Sequence, residues 1–183
     1  MKNLVIFLSF LLILITSPSF GQVISKLDSY NGFKQFKFGK SAASFKNLEL
    51  IKSTMNLKNV TTYNYIGKDI TDFSGVKIAD IRLDFFNNKL YKVSIGFSDF
   101  NKNDYSIGEF NVVKMALTSN FGEPNECQFT DPAMLNCAIW DGNSVRLDNI
   151  RMKMSGKPTN FATGYMLFID KNLESQQQAS ELN

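Results

Sequence analysis

The stretch Ser106–Pro124, SIGEFNVVKMALTSNFGEP, carries both ends of one helix and dictates what the rest of the chain must supply. Ser106 can accept from an orphan amide of the first turn, and Glu109, three residues on, can reach back to the Ser106 amide, which makes a capping box. Tyr105 and Phe110 stand at the positions of a hydrophobic staple around it. Phe110, Val113, Leu117 and Phe121 recur at intervals of three and four, so one apolar stripe runs down a helix whose other side carries Asn111, Lys114 and Thr118. Gly122 can take the positive φ that closes a helix, and Pro124 cannot continue it. The spacing predicts a helix over 107–121 with the stripe buried and Lys114 in water. Such a stripe needs an apolar surface beneath it, and the flanking sequence reads as strands.

Upstream lies the clearest hairpin, KIADIRLDFFNNKLYKVSIGFSDF, residues 77–100. Ile81, Leu83 and Phe85 share one face of its first strand, and Tyr91, Val93, Ile95 and Phe97 share one face of its second. If both sets look the same way, paired positions sum to an even number, so the loop around Asn87–Asn88 needs an odd count and a two-residue turn is excluded. A three-residue loop with Asn88 left-handed fits, while pairing Asp84 with Lys92 favours a register one step away. Downstream, Glu126–Thr130 and Leu135–Trp140 read as short strands on either side of Asp131–Pro132, and Asp141–Gly142 turns the chain into SVRLDNIRMKM. Val145 and Leu147 differ in parity from Ile150, Met152 and Met154, which predicts a bulge or bend near Asp148–Asn149. Thr163–Ile169 is apolar at nearly every position and reads as a central strand covered on both faces. From Asn172 to Asn183 the chain is expected to be a frayed or loosely helical tail.

Nearer the start, Phe36 and Phe38 alternate with Gln35 and Lys37 as in a half-buried strand that Gly39 breaks. Ser41 is a plausible cap for a short helix over 42–51, with Phe45 and Leu48 inward. Asn59–Ile66 reads as a strand, and Gly67–Gly75 as a solvated connection whose Asp69 and Asp72 fall short of the oxygen ligands a calcium loop requires. The expected fold is therefore α+β: an antiparallel sheet of about six to eight strands covered by the helix over 107–121 and a shorter one over 42–51, within a single domain spanning 22–171.

Met1-Lys2 and the apolar run Leu4–Thr16, followed by small residues at Ser19 and Gly21, match a signal peptide over 1–21 with cleavage between Gly21 and Gln22. The run is shorter than the roughly 20 apolar residues that span a bilayer, and no cysteine follows it to carry a lipid. A secreted or periplasmic protein with no stable membrane anchor after cleavage is expected. Loss of 1–21 removes Lys2 from the 20 basic residues, leaving 19 against 17 acidic. So even a balance does not favour nucleic acid or an anionic membrane as partner. Phe33, Phe36 and Phe38 interleave with Lys34, Lys37 and Lys40 as in single-strand nucleic-acid or acidic-glycan binders, although an edge strand shows the same residues.

Gly32-Phe33, then Phe38-Gly39 with Ser41 opening a helix, a hairpin, and a later helix ending Phe121-Gly122-x-Pro124 resemble a pattern of small uncharacterised exported bacterial α+β proteins. More distantly, helix and antiparallel strands alternating in two halves resemble β-lactamase-inhibitor-like envelope folds. Those have two short helices per repeat where this chain offers one per half, and the lipid-attachment cysteine of their outer-membrane members is missing. The resemblance implies a fold and an envelope setting, and it brings no functional residue.

Cys127 and Cys137 fall on neighbouring antiparallel segments of an exported chain, the setting for a disulfide. Zinc would lack ligands without histidine or a third cysteine, and a redox pair usually has C-x-x-C spacing. The absence of histidine also removes the base of a hydrolytic triad. Asp80, Asp84, Asp141 and Asp148 lie near strands, where two carboxylates could serve a glycosidase. No catalytic residue, cofactor or metal is expected. The leading expectation is an exported non-catalytic binding or interaction module, its partner unknown, with an envelope protein in first place. The alternative is a carrier of an apolar small molecule or lipid. A carboxylate-based glycan hydrolase comes third.

Overall fold

The computed structural model describes residues 26–51, 57–97, 104–127, 131–154 and 162–182, with Glu126 placed by its backbone only. The expected leader over 1–21, the Gly21–Gln22 site, residues 128–130 of the expected Glu126–Thr130 strand and the Ser155–Asn160 turn lie outside the described residues. After a helical segment over 26–30 come β1 (Gly32–Phe33), β2 (Phe36–Lys37), β3 (Leu48–Ile51), β4 (Val60–Tyr65), β5 (Asp72–Phe73), β6 (Val76–Lys77), β7 (Asp80–Phe86) and β8 (Lys89–Gly96). Helix α1 (Ile107–Phe121) follows, then β9 (Asn125–Glu126), β10 (Met134–Asp141), β11 (Val145–Lys153), β12 (Ala162–Asp170) and α2 (Lys171–Glu181). The fold is α+β. One antiparallel sheet has the order β3-β4-β7-β8-β12-β11-β10-β9, in which β9 is only a two-residue edge. Each half of the chain makes a meander of four strands, and the last strands of the two meanders, β8 and β12, pair to close the sheet.

Helix α1 has the limits that its caps predict. The Glu109 amide donates to Ser106 Oγ at 3.1 Å, and the Ser106 amide donates to Glu109 Oε2 at 2.8 Å. Phe110, Val113, Leu117 and Phe121 are buried in one cluster with inward residues of the sheet such as Leu83, Val93, Leu147 and Phe168. Trp140 Nε1 donates to the Gly122 carbonyl at 2.7 Å and pins the end of the helix to β10. Lys114 is half-buried rather than fully in water, as a long aliphatic stem along an apolar flank allows.

Five local expectations are corrected. The first concerns the β7–β8 hairpin, which has a two-residue turn: Phe86 faces Lys89, and Asn87 and Asn88 have φ of 48° and 59°. Two asparagines are among the few residues that accept such a pair of positive φ values, and this turn matches the twist of the strands. Parity is met elsewhere, because the register shifts between Asp84↔Lys92 and Phe85↔Leu90 and leaves Tyr91 as the extra residue. Leu90 therefore joins the main core, while Tyr91 joins Phe86, Leu173 and Val60 in a second cluster. The second correction concerns β11, which has no bulge at Asp148–Asn149: its pairing runs unbroken from Val145↔Asp170 to Lys153↔Ala162.

The third correction concerns 42–51, where only a 3-10 turn, Ala42–Ser44, forms. Ser41 makes no side-chain cap bond, Asn47 has φ of 59°, and Leu48–Ile51 joins the sheet as the edge strand β3. A short helix without a full apolar stripe is marginal, and pairing with β4 satisfies the same backbone groups. The fourth concerns the tail, expected to be frayed or loosely helical: Lys171–Glu181 is a regular α-helix packed on the sheet through Leu173. Asp170 Oδ1 accepts from the Asn172 and Leu173 amides at 3.0 Å each, and Leu173 anchors the helix on Phe86 and Tyr91. The fifth concerns the cover of β12, which is central in the sheet but leaves Tyr165 and Leu167 half-buried on the face away from α1.

Asp28 fastens the helical segment over 26–30 to the β10–β11 turn. Its carboxylate accepts from the amides of Asn143, Ser144 and Val145 at 2.9–3.0 Å and from Ser144 Oγ at 3.1 Å. Burial alone would raise its pKa, but these donors together hold it below the usual carboxylate value. A depressed folded pKa contributes stability that is present above the unfolded pKa and lost as pH falls through the folded one. Asp28→Ala is thus expected to cost about 1–2 kcal/mol at neutral pH and progressively less below about pH 4. Urea titrations of both proteins across that range check it; a cost that does not change with pH would contradict the charged role.

Candidate binding face

Inward and outward positions of the sheet differ sharply in character. On the side of α1, strand parity places Leu83, Val93, Met166 and Leu147 in the core. On the other side, one row across the sheet reads Cys137, Ile150, Tyr165, Gly96 and Asp80. The next reads Ile139, Asp148, Leu167, Ser94 and Arg82, and the next Asp141, Arg146, Ile169, Lys92 and Asp84. Helix α2 packs at one end of this face, where Leu173 meets Phe86 and Tyr91. The remainder forms a shallow trough of about 560 Å³ lined by Ile150, Met152, Tyr165 and Leu167 on one flank and by Arg82 and Lys92 on the other.

The parity slip in β11 acquires its physical meaning here. Ile150 and Met152 point into the trough, while Asn149 and Arg151 point toward α1. Asn149 Nδ2 donates to the Phe110 carbonyl at 3.3 Å, and Arg151 Nε donates to the Tyr105 carbonyl at 2.6 Å, so the polar groups turned inward find partners at the start of the helix. Covering these four half-buried side chains, Ile150, Met152, Tyr165 and Leu167, would remove apolar area from water at about 25 cal/mol per Å². Sequence reasoning missed these four as a surface; the signal was the parity change itself, attributed to backbone geometry rather than to a change of face.

All four carboxylates singled out from the sequence lie on this outward parity, and each has its own cation. Asp80 meets Arg82 Nε at 2.8 Å, Asp84 meets Lys92 Nζ at 3.2 Å, Asp141 meets Lys171 Nζ at 2.8 Å and Asp148 meets Arg146 Nε at 2.8 Å. Thr62 Oγ1 also donates to Asp84 at 2.7 Å. Asp148 is the buried one, 3% exposed; burial raises its pKa, and the Arg146 guanidinium opposes that rise. A glycosidase sets two carboxylates against one sugar bond, whereas here each is set against a neighbouring cation.

Cys127 and Cys137 form a disulfide with their Cα atoms 5.7 Å apart. Glu126 pairs with Ala138, so Cys127 falls opposite Cys137 and the bond fastens the chain leaving β9 to β10, at the border of the trough beside Ile150. Such a bond is compatible with an extracellular or periplasmic protein. Among the described residues no group of three or more His, Cys, Asp or Glu is placed to hold a metal ion. Compared with family models, with curated proteins and with solved structures, the chain matches none, so only its own residues speak to function.

Proposed function

We propose that the chain is an exported, non-catalytic binding module whose open sheet face docks an apolar segment of a partner protein. The observation that carries this is the placement of Ile150, Met152, Tyr165 and Leu167 on the uncovered face while polar Asn149 and Arg151 are turned inward. Asp80, Asp84, Asp141 and Asp148 of the face each already have a cation of this chain, so a partner would bring apolar side chains and need no net charge. Export rests on the 1–21 leader pattern and fits the Cys127–Cys137 bond. The carrier alternative calls for enclosed apolar space, and the side chains beneath α1 are packed, with Val113, Leu117, Leu147 and Met166 at most 1% exposed.

Native mass spectrometry on protein purified from its source without detergent tests the proposal, with Leu167→Glu as the comparison. A bound polypeptide is expected on the unmodified chain and about tenfold less of it on the variant, because an introduced charge must be desolvated on docking. Melting temperature is expected to fall only modestly, since Leu167 is half-buried although the new carboxylate faces Asp148 across the β11–β12 pair. A bound lipid in place of a polypeptide would instead favour the carrier.

A further inference from the structure

Away from the trough, a second cleft of about 950 Å³ opens between the β1–β2 hairpin, the 3-10 turn and the Lys68–Asp69 corner. Four lysines line it, Lys37, Lys40, Lys46 and Lys68, against one aspartate, Asp69. The contrast with the sheet face is in the pairing. Lys40, Lys46 and Lys68 are exposed and form no ion pair among the described residues, whereas the charges around the trough are matched. Lys37 is held by the Tyr30 carbonyl at 2.7 Å. Asp69 is occupied by the Tyr65 hydroxyl and by Gln35 Nε2, and the Tyr65 bond holds its pKa below the ordinary carboxylate value. Gly67 leaves the space in which the Tyr65 hydroxyl lies, since a β-carbon there would collide with it.

Both walls of the cleft are fixed to the sheet. The Lys40 carbonyl accepts from the Leu90 amide at 2.9 Å, and the Asn47 carbonyl accepts from the Ile66 amide at 2.9 Å. Charges presented from a fixed backbone lose less entropy on binding than charges on a mobile loop. Phe36, Phe45 and Tyr65 form the floor, with Phe36 fully buried and edge-on to Tyr65 at 5.0 Å and 74°. Single-strand nucleic-acid sites stack bases on open aromatic faces and add arginine; this lining has no arginine, and its Phe36 ring is fully buried edge-on to Tyr65. Gln35, Ser44 and Asn47 are neutral groups that both donate and accept, which matches sugar hydroxyls.

We propose that this cleft is a binding site for an acidic glycan, with Lys40, Lys46 and Lys68 on its anionic groups and Gln35, Ser44 and Asn47 on its hydroxyls. The site is separate from the protein-docking face and does not depend on it. Isothermal titration with an oligogalacturonate at low salt tests it, beside a neutral oligogalactan of equal length and a single-stranded oligothymidylate. Oligogalacturonate is expected to bind, the neutral chain at least about tenfold more weakly, and added salt should weaken the acidic ligand. A Lys40→Ala, Lys46→Ala, Lys68→Ala triple variant should lose about tenfold or more in affinity at an unchanged melting temperature, because three exposed charges leave no described partner behind. The proposal is overturned by absence of oligogalacturonate binding, by equal binding to the triple variant, or by oligothymidylate binding as tightly with the same lysine dependence.

Discussion

Leu117→Ala is expected to lower the free energy of unfolding by about 2–5 kcal/mol, several times the ~1 kcal/mol expected of Ser106→Ala. Leu117 is 1% exposed and lies between the helix and strands that are hydrogen-bonded on both sides, so the space it leaves has little freedom to collapse. Ser106 Oγ makes two local bonds, accepting from the Glu109 amide at 3.1 Å and donating to Glu109 Oε2 at 2.9 Å, at a half-exposed helix end where water can replace them. Lys114→Ala, on the flank of the same helix and without an ion pair among the described residues, should change stability by less than about 0.5 kcal/mol. Urea denaturation of the three variants orders them. If Lys114→Ala proved as damaging as Leu117→Ala, the packing of α1 on the sheet would be wrong.

The helix was legible because its determinants are local. Ser106, Glu109 and Gly122 act within one turn of where they stand, and the stripe repeats often enough to fix its phase. The hairpin was legible in parity but not in detail: an even register was required, yet the sequence does not say whether the extra residue lies in the loop or in the strand. The two-residue preference of Asn87–Asn88 was the overlooked clue. The segment 42–51 failed for a different reason. Ser41 and an apolar spacing at Phe45 and Leu48 suggest a helix, and only pairing with β4, a partner about fifteen residues away, makes Leu48–Ile51 a strand.

The candidate face was legible only in pieces. Asp80, Asp84, Asp141 and Asp148 stood out as residues, but their gathering on one outward face follows from the β8–β12 pairing, which joins the two halves of the chain. The match of each carboxylate with a cation follows from the same registers. The lysine–aromatic interleaving of 33–40 is visible in the sequence, but an edge strand shows the same residues, and net charge over a whole chain does not report where unpaired lysines collect. The second wall of that cleft, Lys46 and Lys68, lies far enough along the chain that no local pattern joins it to Lys37 and Lys40.

Gly164→Ala is expected to destabilise the protein by about 2–3 kcal/mol, against the usual direction of that change. Alanine in a strand interior normally exceeds glycine by about 0.5–1 kcal/mol, because glycine has more backbone freedom to lose. In β12, however, a β-carbon on Gly164 would fall within the Tyr105 ring, which is fully buried and stacked on Phe97 at 5.2 Å. The ring has no free direction: Phe97 donates its amide to the Gly164 carbonyl at 3.0 Å, and Tyr105 donates its own to the Ala162 carbonyl at 2.9 Å, so the three segments are laced together. Tyr105 also leads into the cap at Ser106, and its displacement would therefore reach the start of α1. Removal of the ring should reverse the sign. In a Tyr105→Ala background, itself costing about 3–5 kcal/mol, Gly164→Ala is expected to be neutral or stabilising, a coupling of about 2–3 kcal/mol in a double-mutant cycle. A Gly164→Ala protein as stable as the parent, or equal costs in the two backgrounds, would show that the glycine is kept for its backbone and not for the ring that lies over it.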